Sequence, residues 1–495
     1  MLRYHSTRST GKTVTASQAI LQGLAEDGGL FVPETMPKFK EDFTAWAEKS
    51  YQEVAYEVMK LFLTDYTEEE LKNCINKAYD DKFDTKEIAP LREADGAWYL
   101  ELFHGPTIAF KDMALSILPH LMTTAAKKNG QKEEIVILTA TSGDTGKAAM
   151  AGFADVEGTK IIVFYPKDGV SAIQERQMVT QKGANTYVVG IRGNFDDAQS
   201  GVKKLLNDVE LREKLAAAGS RFSSANSINI GRLVPQVVYY VYSYLKLLQK
   251  GALKKGEPMN VVVPTGNFGN ILAAYYAKLL GVPVGKLYCA SNDNKVLYDF
   301  FETGVYDKNR SLLLTTSPSM DILISSNLER LLYHITEDTN AVAAWMQSLA
   351  GNGRYEITPE QRERLVAFGR GYATEAEVTA QIKQMYEKTG YVIDTHTAVA
   401  AKVANENEKN AVTLVASTAS PFKFGKSVLE AVLPQEELDS LETMDDFAMS
   451  DKLAEVANVA VPKAVRDLKG APVLHNTVCN PDEMQSVVEK ILAKK

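Results

Sequence analysis

The chain has 495 residues, of which 45% are hydrophobic and 24% charged, so it contains enough apolar material for the cores of roughly two to four domains. This composition excludes a mainly disordered protein. Lys and Arg number 55 against 63 Asp and Glu, a formal net charge of −8, so we expect no nucleic-acid or membrane partner.

The cysteine content and the lack of long apolar segments indicate in which cellular compartment the protein is expected. Cys74, Cys289 and Cys479 are too few and too far apart for a disulfide framework or a thiolate metal cluster. No run of 18 apolar residues predicts a membrane span, and no apolar stretch follows the basic N-terminus as in a secretory signal. We therefore expect a cytoplasmic protein.

The first part of the chain predicts helices. From about residue 16 to residue 79 the apolar residues recur at helical spacing, most clearly in TEEELKNCINKAYDDKF. Thr67, followed three residues later by Glu70, predicts a capping box at the start of that helix.

From about residue 97, apolar runs of strand length alternate with segments of helix length. The predicted strands are 134–140, 159–166, 185–191, 260–265, 286–291 and 411–417. Helices are predicted at 147–154, 172–181, 196–217, around 240 and at 271–280. This alternation predicts right-handed βαβ units in mostly parallel sheets.

The predicted fold class is α/β, with two open, mostly parallel sheet domains and a helical N-terminal region. We expect a mostly helical region (1–95), a small α/β domain (96–225), a large α/β domain (226–435) and a C-terminal helical cap (436–495). In such sheets the functional loops leave the carboxyl ends of the strands.

The loop TATSGDTGKAA, from Thr139 to Ala149, contains many hydroxyl side chains directly before a helix. It lacks the glycine spacing of a Walker A motif. Its backbone amides and hydroxyls suit an anion at the helix N-terminus, which we favour over a plain capped turn.

The loop PTGNFGN, from Pro264 to Asn270, has the same placement. Gly266 and Gly269 allow the backbone to approach a phosphate closely, but the loop does not match GxGxxG and disfavours a dinucleotide site. Taken alone, it fits a plain glycine-rich turn equally well.

Two further segments carry reactive or anion-binding side chains. HGPTIAFKDMALSIL places Lys111 among small and apolar neighbours, a setting that lowers the pKa of an amine, although a lone Lys is normally a surface residue. SSANSINIGR gathers neutral donors and one arginine that suit a phosphate or a carboxylate, or alternatively turn chemistry. These residues are Asn226, Ser227, Asn229 and Arg232.

The six histidines are scattered, so we expect no catalytic metal.

The order of these segments resembles the threonine synthase family, whose members are pyridoxal-phosphate enzymes of fold type II. The resemblance rests on HGPTIAFKD, TSGDTG, NSINIGR, GNFGN and STASPFKF in this order, and on YHSTR and AILQGLAEDGGLFVPETMP near the start. It extends from residue 4 to about residue 430, nearly the whole chain.

The resemblance implies a role for each matching residue. Lys111 is expected to bind the pyridoxal phosphate covalently, Thr418 to face its pyridine nitrogen and Asp144 to lie beside its phenolic oxygen, where relatives often carry Asn. The cofactor phosphate is assigned to Gly266, Asn267, Phe268, Gly269 and Asn270. The substrate carboxylate is assigned to Thr141, Ser142, Gly143 and Thr145, and the substrate phosphate to Asn226, Ser227, Asn229 and Arg232.

The reaction implied is the conversion of O-phospho-L-homoserine and water into L-threonine and phosphate, by β,γ-elimination and then β-addition of water. One departure is visible: the family's late loop commonly reads STAHPAKF, whereas this chain has STASPFKF, with Ser420 and Phe422. The implied enzyme is a monomer or a homodimer.

Two classes of alternative remain. One is another enzyme of the same fold type, a pyridoxal-phosphate-dependent threonine or serine dehydratase or a threonine-synthase-like phospholyase. The other is a catalytically silent binding protein, which would have no need of Lys111. A dehydratase would have no use for a phosphate site at Arg232.

Overall fold

The computed structural model describes residues 1–141, 144–170, 172–407 and 411–493. It is an α/β structure with two larger sheets, in which the strands are parallel except for one at an edge. The predicted α/β class is therefore confirmed.

The strands occupy short segments along the whole chain. In chain order they are β1 Tyr4–Ser6, β2 Ser9–Val14, β3 Phe31–Pro33, β4 Leu91–Ala94, β5 Ala97–Glu101, β6 Glu134–Ala140, β7 Thr159–Pro166, β8 Thr186–Ile191, β9 Ser220–Ser223, β10 Met259–Pro264, β11 Val284–Ser291, β12 Val305–Asp307, β13 Arg354–Glu356, β14 Phe368–Tyr372, β15 Val412–Ser417 and β16 Thr477–Cys479.

The helices lie between these strands and at the C-terminal end. In chain order they are α1 Ala16–Gln22, α2 Tyr51–Phe62, α3 Glu68–Ala78, α4 Asp112–Leu115, α5 Leu118–Lys128, α6 Asp144–Phe153, α7 Ala172–Val179, α8 Phe195–Asn207, α9 Val209–Ala217, α10 Ile230–Gln249, α11 Gly269–Leu280, α12 Val296–Thr303, α13 Leu328–Thr336, α14 Thr339–Gly351, α15 Pro359–Glu363, α16 Glu375–Thr389, α17 Thr395–Glu406, α18 Gly425–Val432, α19 Leu438–Leu441, α20 Asp446–Ala457, α21 Lys463–Arg466 and α22 Met484–Leu492.

The predicted strands are confirmed, each with ends within two residues of the expected positions. The predicted helix 196–217 is instead two helices, α8 and α9. They are separated at Asp208, whose side chain accepts a hydrogen bond from the amide of Leu211 and so starts a second helix.

The N-terminal region combines helices with a small sheet that the sequence pattern did not predict. Strands β1, β2 and β3 form a three-stranded antiparallel sheet in the order β2-β1-β3. The capping box of Thr67 and Glu70 is confirmed at the start of α3. The apolar face of α2 packs against the long buried helix α10, which anchors this region to the core.

The larger sheet has the order β14-β11-β10-β15-β5-β4, and the smaller one has the order β16-β8-β7-β6-β9. Domain boundaries remain a prediction, and the strand pairing bears on them at two places. Strand β5, which we placed in the small domain, pairs with β15 of the larger sheet. Strand β16, from the expected helical cap, extends the smaller sheet by pairing with β8.

The loops that follow β6, β10 and β15 leave the carboxyl ends of parallel strands in both sheets. This arrangement brings segments that are far apart in sequence to one cleft. In the described residues, no helix combines the length and the apolar character that crossing a membrane requires.

Candidate active site

A cavity of about 570 Å³ lies at these carboxyl ends and gathers most of the residues predicted from the sequence. The predicted residues that line it are Lys111, Asp144, Thr145, Asn226, Ser227, Arg232, Gly266, Asn267, Phe268, Gly269, Asn270 and Thr418. They come from segments that follow strands of both sheets and from the start of α10, so the fold joins five separate sequence motifs at one place.

Two predicted residues have structural positions away from the cavity lining. Thr141 is buried and accepts a hydrogen bond from the amide of Gly146, at the start of α6. Asn229 caps α10 through the amide of Gly231 and donates to the carbonyl of Ile20, 3.0 Å away. The predictions for Ser142 and Gly143 lie outside the described residues.

Lys111 stands at the start of the short helix α4, with its ammonium group in the cavity. Burial lowers its pKa to about 8; the positive charges of Lys423 and Arg232 act in the same direction, and the negative charge of Asp144 opposes them. Its Nζ lies 3.5 Å from the hydroxyl of Ser319. Such an amine is substantially neutral near pH 8 and can act as a nucleophile and a base.

The segment between β10 and α11 forms an anion-binding end of the cavity. Phe268 adopts a left-handed backbone with φ of +64°, which turns the chain directly into α11. A Cβ atom at Gly266 would lie 2.6 Å from the carbonyl oxygen of Ser319, so only glycine fits there. The amides at the start of this twelve-residue helix are available to an anion.

Asn270 adds a donor to this end of the cavity. Its Oδ1 accepts hydrogen bonds from the hydroxyls of Tyr239 and Tyr240. Within the described part of the chain its buried Nδ2 has no partner. An unpaired buried donor is costly unless a ligand completes it, so this atom fits a bound phosphate.

Arg232 provides a buried cation in the cavity wall. It is 3% exposed, and its Nη1 donates to the carbonyl of Ala225 at 2.7 Å. Its Nε has no partner among the described residues, and burial lowers the pKa of the guanidinium to about 10. With Asn226 and Ser227 beside it in the cavity wall, this group suits a second anion.

Asp144 forms a buried ion pair with Lys423, a residue that the sequence analysis did not select. The Nζ and Oδ1 atoms are 3.1 Å apart, and the Lys423 side chain is 2% exposed. Burial opposes the ionisation of Asp144, but the charges of Lys423 and Lys111 hold the pKa of this carboxyl well below its usual range. An acid at this position is therefore an anion with its own counter-ion.

The two residues of STASPFKF that differ from the common family pattern, Ser420 and Phe422, do not line the cavity. Ser420 caps the turn Pro421–Phe424 by accepting a hydrogen bond from the amide of Phe422, and Phe422 is buried in a core behind the site. Thr418 and Ala419 line the cavity instead. Ser420 and Phe422 thus pack behind this wall of the cavity, and the residues that face the cavity are unaffected by the difference.

Sequence reasoning missed Gln236, His396 and two larger groups of cavity residues. One is a segment between β12 and α13 that contributes Ser319, Met320, Ile324 and Ser326. The other is a face of α8, where Phe195, Gln199 and Lys203 recur every four residues. The first group has no periodicity; the second could have been found only from the four-residue spacing, which also describes any amphipathic helix.

Taken together, the residues fit pyridoxal phosphate and a doubly anionic substrate. The cavity combines an amine of lowered pKa, an unpaired donor at a helix N-terminus and a second cation with an unpaired donor. The cofactor would be held at Lys111 and Asn270, because its aldehyde requires the amine and its phosphate an anion site. Arg232 remains for a further anion.

Comparison with known proteins adds independent findings. A family model described as "Threonine synthase N terminus" matches residues 3–79, and one described as "Pyridoxal-phosphate dependent enzyme" matches residues 87–417. The chain is 37% identical over 465 residues to the threonine synthase of Schizosaccharomyces pombe, covering 86% of this chain and 88% of that protein.

It is also 39% identical over 431 residues to the human protein threonine synthase-like 1, but spans only 58% of that protein's length. Among solved structures, the pyridoxal-phosphate-bound threonine synthase from Brucella melitensis superposes with a TM-score of 0.86 at 35% identity. That superposition covers 100% of this chain and 99% of the other.

Proposed function

Because the chain belongs to the threonine synthase family of pyridoxal-phosphate-dependent enzymes, we propose that it converts O-phospho-L-homoserine and water into L-threonine and phosphate. The reaction is a β,γ-elimination of phosphate followed by addition of water at Cβ. The observation that carries the proposal is the presence of buried Arg232, whose Nε has no partner among the described residues, in the wall of the cavity that also holds Lys111.

The proposal assigns one site to each charged group of the cofactor and the substrate. Lys111 and the amides at the start of α11, with Asn270, hold the cofactor, and the hydroxyl of Thr418 faces its ring. The neighbourhood of Thr145 receives the substrate carboxylate. Arg232, Asn226 and Ser227 receive the substrate phosphate, which a dehydratase substrate lacks.

Bound pyridoxal phosphate supplies an electron sink for negative charge that develops on the substrate carbon atoms. Lys111 then moves the protons: its Nζ accepts a proton from the substrate as a base and returns it as an acid. The Cγ–O bond breaks, and the phosphate leaves toward Arg232, whose charge stabilises the leaving dianion. Water supplies the hydroxyl group of threonine at Cβ.

The product analysis of the purified protein tests this proposal. We expect equal amounts of phosphate and threonine from O-phospho-L-homoserine, and neither product from the Lys111→Ala variant. Phosphate accompanied by an oxo acid would replace the proposal with a phospholyase. Turnover of L-threonine or L-serine to an oxo acid, without turnover of the phosphate ester, would replace it with a dehydratase.

The setting of the enzyme is part of the same proposal. We infer a cytoplasmic location, because Cys74, Cys289 and Cys479 are all free and buried, as suits a reducing compartment. We also infer that the protein acts on a small molecule as a monomer or a homodimer. Size-exclusion chromatography with light scattering distinguishes these two states.

A further inference from the structure

Ser319 lies between Lys111 and the ion pair of Asp144 and Lys423. Its Oγ is 3.5 Å from Lys111 Nζ and 3.2 Å from Asp144 Oδ2. The sequence motifs did not include it, since it belongs to the segment between β12 and α13, which shows neither helical nor strand spacing. It therefore connects the reactive amine to a buried carboxylate that has no direct hydrogen bond to that amine in the described structure.

The charge state of Asp144 fixes the direction of these hydrogen bonds. An ionised carboxylate only accepts, so the Ser319 hydroxyl must donate its hydrogen to Asp144. The oxygen of Ser319 then presents its lone pairs to Lys111, and the amine must donate to it. One N–H bond of Lys111 is thereby directed at Ser319, which orients the rest of the nitrogen relative to the cavity.

Ser319 itself is held from behind by a buried histidine. Its backbone amide donates to Nε2 of His396 at 3.2 Å, and Nδ1 of His396 donates to Oδ2 of Asp394 at 2.9 Å. Asp394 is fully buried and also caps α17. On the other side the carbonyl of Ser319 faces Gly266, so the serine has little freedom to move.

Lys423 in turn holds Asp144. Besides the ion pair, its Nζ donates to the carbonyl of Thr107 at 3.1 Å, just before the Lys111 segment. A buried carboxylate without such a partner would be protonated or would turn away, and could no longer accept the hydrogen of Ser319. The order of contacts is thus Lys423, Asp144, Ser319 and Lys111.

We propose that Ser319, aligned by Asp144 and Lys423, positions the amine of Lys111 for cofactor attachment and for proton transfer to the substrate. The part that concerns the substrate rests on the function proposed above. Ser319 contributes geometry: an amine with one anchored N–H approaches its target in one orientation, whereas a free amine must sample several.

Substitutions of the charged residues around Lys111 test the roles of Asp144 and Lys423 separately from the role of the Ser319 hydroxyl. The titratable or charged side chains that line the cavity near Lys111 are Asp144, Lys203, Arg232 and His396, with Lys423 behind Asp144. Replacing Asp144 by Asn removes the negative charge that favours the ammonium form, so the pKa of Lys111 should fall. Replacing Lys423 by Met leaves Asp144 without its counter-ion, so Asp144 should take up a proton and the pKa of Lys111 should fall as in Asp144→Asn.

The test measures how fast the visible absorbance of the bound cofactor forms when pyridoxal phosphate is added to the apoprotein. Borohydride reduction and peptide mapping confirm attachment at Lys111. We expect Ser319→Ala to slow attachment and to lower kcat, each by roughly tenfold, with a KM change below about threefold. Ser319→Thr keeps a hydroxyl and should recover most of both losses. Ser311→Ala, at an exposed serine of the same segment, is the matched control.

Several outcomes would overturn the proposal. One is Ser319→Ala that attaches the cofactor and turns over like Ser311→Ala. Another is a loss confined to melting temperature, which would make Ser319 structural. A rise of the attachment pH midpoint in Asp144→Asn or in Lys423→Met would also contradict it. If the wild type binds the cofactor but forms no threonine, the proposed function fails, while the attachment rates still decide the role of Ser319.

Discussion

Two lysines on neighbouring parts of the molecule, one buried and one partly buried, have the same lowered pKa and different surroundings. Burial lowers the pKa of both Lys111 and Lys147 to about 8. Lys147, on α6, donates to the carbonyl of Gln177 at 2.8 Å and to Oε1 of Gln181 at 2.6 Å. Lys111 lines the cavity, where its Nζ lies 3.5 Å from the hydroxyl of Ser319.

Two buried arginines repeat this contrast. Burial lowers the pKa of Arg232 and Arg330 to about 10. Arg330 donates to the carbonyls of Phe31 and Ile228 and to Oδ1 of Asn327, and so ties the N-terminal sheet to the core. Arg232 lines the cavity, and its buried Nε has no partner in the part of the chain that the structure describes.

The contrast shows that a perturbed pKa alone does not identify a functional residue. Burial lowers the pKa of both members of each pair by a similar amount, because the cost of desolvating a cation does not depend on whether the residue binds a ligand. The members differ in whether the protein itself completes their hydrogen bonds. A cation with an unpaired donor beside a cavity is available to a ligand, and one that donates several hydrogen bonds to the protein stabilises the fold.

Replacing Lys111 and Lys147 by neutral residues should give the largest difference in cofactor binding and activity between two variants. Lys111→Ala should lose the visible cofactor band and at least roughly 10³-fold in threonine formation, because no other amine replaces it. Lys147→Met should keep the band and lose about 1–3 kcal/mol of stability, since two buried acceptors lose their donor. Spectroscopy, activity and thermal melts measure this. A cofactor band in Lys111→Ala would contradict the comparison.

The two arginines should separate in the same way, with a smaller effect. Arg232→Gln should lower kcat/KM for the phosphate ester roughly 10²-fold through loss of a buried charged contact, with little change in melting temperature. Arg330→Gln should instead cost about 3 kcal/mol of stability. Arg221→Gln, at an exposed position on β9, controls for the change of charge. Equal kinetic losses in Arg232→Gln and Arg221→Gln would argue against a phosphate site.

The pH dependence of cofactor attachment should report Lys111. The neutral amine is the nucleophile, so the attachment rate should rise about tenfold per pH unit below pH 8 and level off above it. Stopped-flow absorbance between pH 6 and about 9.5 measures this. Lys147→Met should leave the midpoint in place, and a midpoint near 10.5 would show that Lys111 is not desolvated.

The pH dependence of stability should report Lys147. Its folded pKa of about 8 lies below the ordinary 10.5, so between these values the unfolded chain binds more protons than the folded one. Stability from this group therefore rises with pH across that window, by up to about 1.4 kcal/mol per pH unit. Urea unfolding of the wild type and Lys147→Met measures the difference in slope. Identical slopes would contradict a buried, titrating Lys147.

The smallest expected effect is a change in KM on substitution of Lys203, an exposed residue. Lys203 lines the mouth of the cavity, whereas the adjacent Lys204 is exposed and does not line it. Lys203→Ala should raise KM for the phosphate ester about threefold at low salt, and less at high salt, because exposed charges are screened. Lys204→Ala should leave KM unchanged. Equal effects of the two substitutions would indicate a general attraction by α8.

Some features followed from local patterns. The buried strands could be predicted because parallel strands covered on both faces read as continuous apolar runs, as in Glu134–Ala140 and Thr159–Pro166. Lys111 and the glycine loops could be found because their residue types and order resemble a family. Asp208 was missed as a helix break, since an Asp within a helical pattern is compatible with both a continuous helix and a new cap.

The sequence by itself determined the α/β class, the candidate lysine for the cofactor and the loops that leave the strands, because each depends on short-range periodicity or a contiguous motif. Tertiary structure alone decided that Thr141 and Asn229 serve as caps, that β16 joins the smaller sheet, and that Lys423 and Ser319 meet the site. These outcomes depend on contacts between residues up to hundreds of positions apart. Which buried polar groups the fold completes, and which it leaves for a ligand, is settled only by those contacts.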